Sequence, residues 1–304
     1  MKIRQNVLPL LAALIWGTAF VAQSVSADHI EPFTFNAARS AIAFVTLLLV
    51  CAAFSAVRKR RGGEEEAAPK GSRKDLILGG LCCGVLLTIA SNLQQAGLSD
   101  TSAGKAGFIT ALYVVLVPVF GIFFRRRASL QVWISVAIAV LGLYLLCITG
   151  SFTIAASDLY VLLCALVFAL HILCVDHFAG RVDGVKLSCA QFLVMAVLSG
   201  AGALLFETPD PAELMACLWP LLYVGVFSSG VAYTLQILAQ KDSDPTVVSI
   251  LLSLESVFSV LAGAVILGDR LSPREYAGCV LMFAAVLLAQ IPIGKKAKSK
   301  AAIE

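Results

Sequence analysis

One carboxylate, Glu255, stands alone among charged groups in the stretch 246–267, a run of otherwise apolar and small residues. It lies ten residues past Pro245, which along a helix puts it about 15 Å deep. A charged side chain at that depth of a bilayer costs a few kcal/mol or more unless it is paired, hydrated or protonated, and a glutamate is too short to reach the interface. Two chemistries suit it: contact with a substrate ammonium, or the uptake and release of a coupling proton. A structural ion pair or hydrogen bond is the alternative. Arg39, in the stretch 33–56, is the obvious partner, because the axial separation of the two is roughly 6 Å. Whether they meet laterally stays open. Arg39 could also bind a substrate carboxylate, or snorkel toward the nearer interface.

Weaker candidates surround this pair. Asn92, Gln94 and Gln95 fall near one end of an apolar stretch and Gln236 near the end of another. They suit polar rims of a cavity, and suit interhelical hydrogen bonding equally well. His171 could titrate or bind substrate, although a lone histidine is more often simply hydrogen-bonded. Trp16 is too far from either end of its stretch to join an interfacial belt. With Phe20, Tyr113 and Tyr233 it could line an aromatic cavity, and packing between helices is the bland reading. Lys105 lies close enough to a boundary to snorkel. Pro118 removes a backbone donor and favours a bend, which makes it a candidate gating hinge. Gly80 and Gly84 form a close-packing pattern for helix contact. The nine cysteines show no metal-ligand spacing and no CxxC, so neither metal nor disulfide is expected.

The elements that must position these residues are membrane spans. Of 304 residues, 59% are apolar and only 14% charged, against roughly a quarter charged in soluble chains; mean hydropathy is +0.90. Charges cluster between apolar runs long enough to cross a bilayer. The runs give ten candidate helices at 6–26, 33–56, 75–97, 102–124, 129–148, 157–176, 185–206, 216–239, 246–267 and 274–293. The expectation is an all-α polytopic membrane protein. Residues 57–74, with Arg58 to Arg61, Glu64 to Glu66 and Pro69 to Ser72, read as a solvated loop. A net charge of +4 gives no basic surface for nucleic acid.

Orientation follows from lysine and arginine placement. With the N-terminus in the cytoplasm, 19 of the 23 basic residues fall inside and three (Lys105, Arg270, Arg274) outside, Arg39 being within a span. Both termini are therefore expected in the cytoplasm. Lys2 and Arg4 before an apolar run could also begin a signal peptide. The run continues through Ala22 and takes part in a repeat, which favours an uncleaved first helix.

The repeat appears when the chain is laid over itself. A shift of 152 puts Ala13 to Trp16 over Ala165 to Phe168, and Ala38-Arg39 over Ala190-Gln191. In the third pair of spans the shift falls to 141, superposing Gly84 on Gly225 and Gln95 on Gln236; the extra length of the 57–74 loop accounts for the change. Five helices per half is an odd number, so the second half enters the membrane from the opposite side. Residues 1–150 and 155–293 are thus expected to be two inverted five-helix repeats, followed by a basic cytoplasmic tail at 294–304. Inverted repeats place a substrate site near the midplane between the halves. Exchanging the conformations of the halves then opens that site to the other side.

These residues resemble the EamA type of the drug/metabolite transporter superfamily. WGTAF at 16–20 looks like its first-helix signature, Arg39 like its second-helix arginine, and TSAGKAGFITALYVVLVPVFG at 101–121 like its helix 3–4 junction ending in Pro118. YVGVFSSGVAYTLQILAQK at 223–241 and SLESVFSVLAGAVILGDRLS at 253–272 resemble its eighth and ninth helices. Ser256 stands where the family often has proline, and Asp269 where it usually has glutamate. The resemblance implies a ten-helix exporter or importer of small metabolites, with helices 1, 3, 4, 6, 8 and 9 around a central cavity and 5 and 10 peripheral.

The expected function is secondary transport by alternating access, export being the favoured direction. Amino acids or related amphiphilic metabolites are the expected substrates, protons are a candidate coupling ion, and the expected membrane is a bacterial plasma membrane. No cofactor is expected, since no Walker motif supplies ATP binding. The oligomeric state is left between monomer and homodimer. A membrane enzyme acting on lipid-linked substrates is the rival; it needs convergent catalytic groups at one depth, and Glu255 is the only deeply placed carboxylate.

Overall fold

A computed structural model describes residues 2–60, 72–98, 103–124, 128–148, 155–241, 243–266 and 271–291. Most of the charged 57–74 loop, Arg125 to Arg127, Asp269, Arg270 and the 294–304 tail lie outside the described residues. The chain is all-helical there: α1 (Lys2–Ala27), α2 (Pro32–Arg60), α3 (Arg73–Gly97), α4 (Ala103–Ala111), α5 (Tyr113–Phe123) and α6 (Leu130–Cys147) form the first half. The second half comprises α7 (Ala156–Ala179), α8 (Gly184–Phe206), the short α9 (Pro211–Ala216) and α10 (Leu218–Tyr223), a π-helical segment (Val224–Ala232), α11 (Tyr233–Gln240), α12 (Pro245–Leu252), α13 (Glu255–Ile266) and α14 (Pro273–Gln290).

Among the described residues, nine segments are long and apolar enough to cross a bilayer. The tenth span is α14, whose 18 residues begin with Pro273, Arg274 and Glu275. Leucines and phenylalanines such as Leu49, Leu204 and Phe206 are exposed on the outside of the bundle. Lipid tails cover such a surface, and every helix satisfies its own backbone within it. This is a polytopic integral membrane protein of two inverted five-helix repeats.

Three of the ten expected helices are not continuous. The fourth span breaks at Leu112 between α4 and α5, and the ninth breaks at Ser253 and Leu254 between α12 and α13. The eighth is wound as a π-helix through its middle. No proline or glycine stands at either break; at the second, the Ser253 hydroxyl donates to the Ile250 carbonyl, a local bond that competes with the helix ladder. Pro118 lies inside α5 and is buried, six residues beyond the first break.

The repeats interlock symmetrically. Gly84 of α3 meets α8: a Cβ there would lie 2.5 Å from Val194 Cβ and 2.9 Å from the Gln191 carbonyl oxygen. Gly225 meets α2 in the same way, 2.7 Å from Ile42 Cβ and 3.1 Å from the Arg39 carbonyl oxygen. The partners are those that the 152-residue shift pairs, so the third span of each half packs on the second span of the other. Gly80 likewise faces Ala190, which is the helix contact expected of the Gly80–Gly84 pattern. Gly142 and Gly278 bring α6 and α14 together on the periphery.

Capping ties the halves further. Asp183 caps its own helix, α8, accepting from Val185 and Lys186 amides at 3.0 Å. The start of α2 is instead capped by Glu207 from the other repeat, which accepts from the amides of Phe33 at 2.8 Å and Thr34 at 2.7 Å. Glu31 returns the contact by accepting from the Thr208 amide at 3.2 Å. Lys105 pairs with Asp158 across α4 and α7, so its ammonium is bonded inside the protein rather than extended to the interface.

Candidate functional site

The two broken spans bring the site together. Tyr113 opens α5 and Glu255 opens α13, each immediately after its break. They are 142 residues apart, and Tyr113 Oη donates to Glu255 Oε1 at 3.0 Å. A break halves a span, so the N-terminus of a half-helix lies in the middle of the bundle instead of at its end. Glu255 occupies the first turn of α13, where the positive end of the helix favours an anion by about 0.3–2 kcal/mol. Gly17 lets α1 approach this point closely. A Cβ at 17 would lie 2.6 Å from the Glu255 carbonyl oxygen and 2.8 Å from the Ser259 nitrogen, which gives the glycine of WGTAF a physical reason.

Glu255 is 5% exposed, and no lysine, arginine or histidine nitrogen among the described residues lies within 4.0 Å of its carboxylate. The ion pair with Arg39 considered from the sequence is therefore absent. Arg39 is 2% exposed and is held by neutral groups instead. Its Nη1 donates to Gln23 Oε1 at 2.8 Å, its Nη2 reaches Ser91 Oγ at 3.5 Å, and its guanidinium stands 5.9 Å from the centre of the Phe35 ring. Its Nε is buried without a hydrogen-bond partner. Each charge has neutral partners of its own, which depth along the helices could not reveal.

Both charges nevertheless line one central cavity. The space open to water there is about 40 Å³, room for a few water molecules and no larger solute. Trp16 and Tyr233 form one wall, edge to face at 4.7 Å, and Trp16 Nε1 donates to the Ser228 carbonyl at 3.1 Å in the π-helical segment. His171 lies 6.0 Å from Tyr233, with Nε2 at 3.1 Å from Gln191 Oε1. Gln94 joins the lining and bonds Thr110 Oγ1 at 3.4 Å.

Of the residues singled out in the sequence, Trp16, Phe20, Arg39, Gln94, Tyr113, His171, Tyr233, Gln236 and Glu255 line this cavity. Asn92 and Gln95 do not. Asn92 bonds Asn36, the Thr88 carbonyl and Ser199, and Gln95 Nε2 reaches the Gln23 carbonyl at 3.3 Å. Both brace helices behind the lining. Spans 1, 3, 4, 6, 8 and 9 contribute side chains, the second span adds Arg39, and α6 and α14 contribute none. Sequence reasoning missed Gln23, Thr110 and Ser228. Gln23 carried a usable signal, since it follows Trp16 by seven residues and Phe20 by three and so shares their helix face. Among the described residues no three His, Cys, Asp or Glu side chains gather to hold a metal ion.

Comparison with known proteins matches the chain to a family. The EamA-like transporter family matches the chain twice, over residues 5–148 and 155–290. The chain belongs to the EamA-like transporter family. An uncharacterized transporter of Archaeoglobus fulgidus is 29% identical over 289 residues, covering 93% of this chain and 84% of that one. The uncharacterized transporter YoaV of Bacillus subtilis is 23% identical, covering 90% and 92%. A solved crystal structure, 19% identical, superposes with a TM-score of 0.74 over 94% of this chain and 96% of its own, a likeness of fold. As an EamA-like protein the chain is a transporter, and its duplicated match coincides with the two sets of spans that meet at the cavity.

Proposed function

We propose that this EamA-like protein is a secondary transporter that exports a small, partly polar metabolite by alternating access, with amino acids or related amphiphilic compounds as substrates. The observation that carries the reading is the cavity between the repeats, whose lining includes a carboxylate and a guanidinium that have no counter-charge among the described residues. Buried charges without counter-charges are costly; a zwitterion bound between them would supply both partners at once. Glu255 contacts the substrate ammonium or carries the coupling proton, Arg39 takes the carboxylate, and Trp16, Tyr113, Tyr233, His171 and Gln236 enclose the remainder. Asn92 and Gln95 act from behind by bracing the helices.

The small volume of the cavity supports alternating access, because a metabolite can enter only if spans part. The bending region of the fourth span runs from the Leu112 break to Pro118, and Pro118→Ala is expected to trap one access state. Repeats bounded at 1–150 and 155–293, both termini and the 294–304 tail in the cytoplasm, and a bacterial plasma membrane complete the reading. The site lies within one chain, so a monomer suffices. Transport without enzymatic turnover is the activity proposed.

Counterflow in proteoliposomes with pooled labelled amino acids and amphiphilic metabolites tests this. Label should accumulate only in vesicles preloaded with unlabelled substrate, and Glu255→Gln should abolish accumulation or its pH dependence while the protein still folds. Unchanged transport and pH dependence in that variant would remove Glu255 from the mechanism.

A further inference from the structure

Arg39 poses a question of selectivity that its own contacts answer. Gln23 is buried in α1, lines the cavity, and accepts from Arg39 Nη1 at 2.8 Å. Its backbone carbonyl is held in turn by Gln95 Nε2 at 3.3 Å. The Gln23 backbone is therefore braced from behind, and its side chain presents a neutral oxygen to the guanidinium. The other contacts, Ser91 Oγ at 3.5 Å, the Tyr233 hydroxyl and the Phe35 ring, are neutral too. A glutamate at position 23 has almost the same shape and reach, and would form a buried ion pair that cancels the charge. The chain carries the amide.

With Nη1 occupied by Gln23, the guanidinium edge formed by Nε and Nη2 meets no charged partner among the described residues. Nε has no hydrogen-bond partner although it is buried, Nη2 has the long contact to Ser91, and the neutral Tyr233 hydroxyl also stands against the guanidinium. Two parallel N–H donors on one edge of an arginine match the two oxygens of a carboxylate. Nothing equivalent exists in the second repeat, where Gln191 stands at the position related to Arg39 and bonds His171. Selection for an anion is thus confined to one wall.

We infer that Gln23 is a positioning and specificity-determining residue: its neutral amide aims the Arg39 guanidinium into the cavity without neutralising it, so that the transporter selects substrates bearing a carboxylate. This rests on the reading that the cavity binds the transported substrate. It assigns to a residue that never carries charge the control of which charge the cavity accepts.

Two measurements on the full-length protein test it. The first is a double-mutant cycle of thermal unfolding midpoints in detergent, with Gln23→Glu, Arg39→Gln and the double variant. Gln23→Glu should raise the midpoint when Arg39 is present and lower it when Arg39 is glutamine; additive effects would mean the pair is not coupled and would overturn the inference. The second is counterflow with pooled labelled amino acids against the corresponding amino-acid amides, which lack the carboxylate charge. The wild type should prefer the acids. Gln23→Glu should raise their half-saturation concentration by about tenfold or more relative to that of the amides; Gln23→Ala should lose a smaller part of the preference. An unchanged preference in Gln23→Glu, or equal losses for acids and amides, would overturn the inference while leaving the transport reading intact. Wild-type vesicles that exchange neither class would overturn the substrate reading itself, and this specificity with it, even if the cycle shows coupling.

Discussion

In the first repeat the second span offers Arg39 to Gln23 of the first span, and Gln95 of the third span holds the Gln23 backbone carbonyl. In the second repeat the related second-span position is Gln191, which bonds His171 of the first span, and Gln240 of the third span holds the Ile172 carbonyl at 2.8 Å. The layout is similar but not position for position, since the shifts relate Gln23 to Val175 and Gln95 to Gln236, and the chemistry is different. One wall carries a permanent cation and the other a neutral pair. At the breaks the order is reversed, since the first repeat supplies the neutral Tyr113 and the second supplies Glu255. Each repeat thus contributes one charge at a position where its counterpart has none. Duplication fixed the helix packing, where both copies must fit, and left the cavity-facing side chains free to diverge.

The largest effect should come from erasing the asymmetry at the breaks. Glu255→Gln is expected to bring counterflow down to the background of empty vesicles, while Tyr113→Phe, which removes a hydrogen bond to a charged group, should cost about 1.5–3 kcal/mol of stability and only part of the transport rate. Equal loss from both variants would mean that the hydrogen bond, not the carboxylate, is what transport needs.

Next come the glycines where spans touch. Gly17→Ala pushes a methyl against the Glu255 backbone at 2.6 Å and should destabilise by about 1–3 kcal/mol, read as a lower thermal midpoint in detergent. Gly84→Ala and Gly225→Ala occupy related contacts and should cost about 1–3 kcal/mol each. A large effect at one with none at the other would break the packing symmetry. A methyl at position 200 would meet no neighbouring side chain or helix within 4 Å, so Gly200→Ala should leave the midpoint unchanged or raise it slightly through helix propensity.

The smallest effects belong to the braces. Gln95→Leu and Gln240→Leu each lose one interhelical hydrogen bond, worth on the order of 0.6 kcal/mol in membranes. Their thermal shifts should be similar. Only Gln95→Leu should also disturb transport, because the carbonyl it holds belongs to the residue that aims Arg39.

Much of this was legible in the chain alone. Span positions, the repeat and the family resemblance followed from apolar runs, shifts and short motifs, because a bilayer demands about 20 apolar residues per crossing whatever the tertiary packing. Glu255, Arg39 and the aromatic residues could be picked out for the same reason, since a polar or large aromatic group inside such a run stands out by type. The third-span glycines were visible as a pair, and their shift identified the symmetry that the packing displays.

The partnerships were not legible. Depth along a helix places Arg39 and Glu255 within reach of each other, but only lateral packing shows that Gln23 and Tyr113 are the actual partners. The breaks at Leu112 and at Ser253 and Leu254 carry no proline or glycine to announce them; they exist where tertiary contacts outweigh local helix propensity. Sequence alone determined which residues must enter the membrane, because hydrophobicity acts residue by residue. Tertiary structure decided which of them face one another, because hydrogen bonds and charge pairing depend on ångström-scale positions that only the packed helices set.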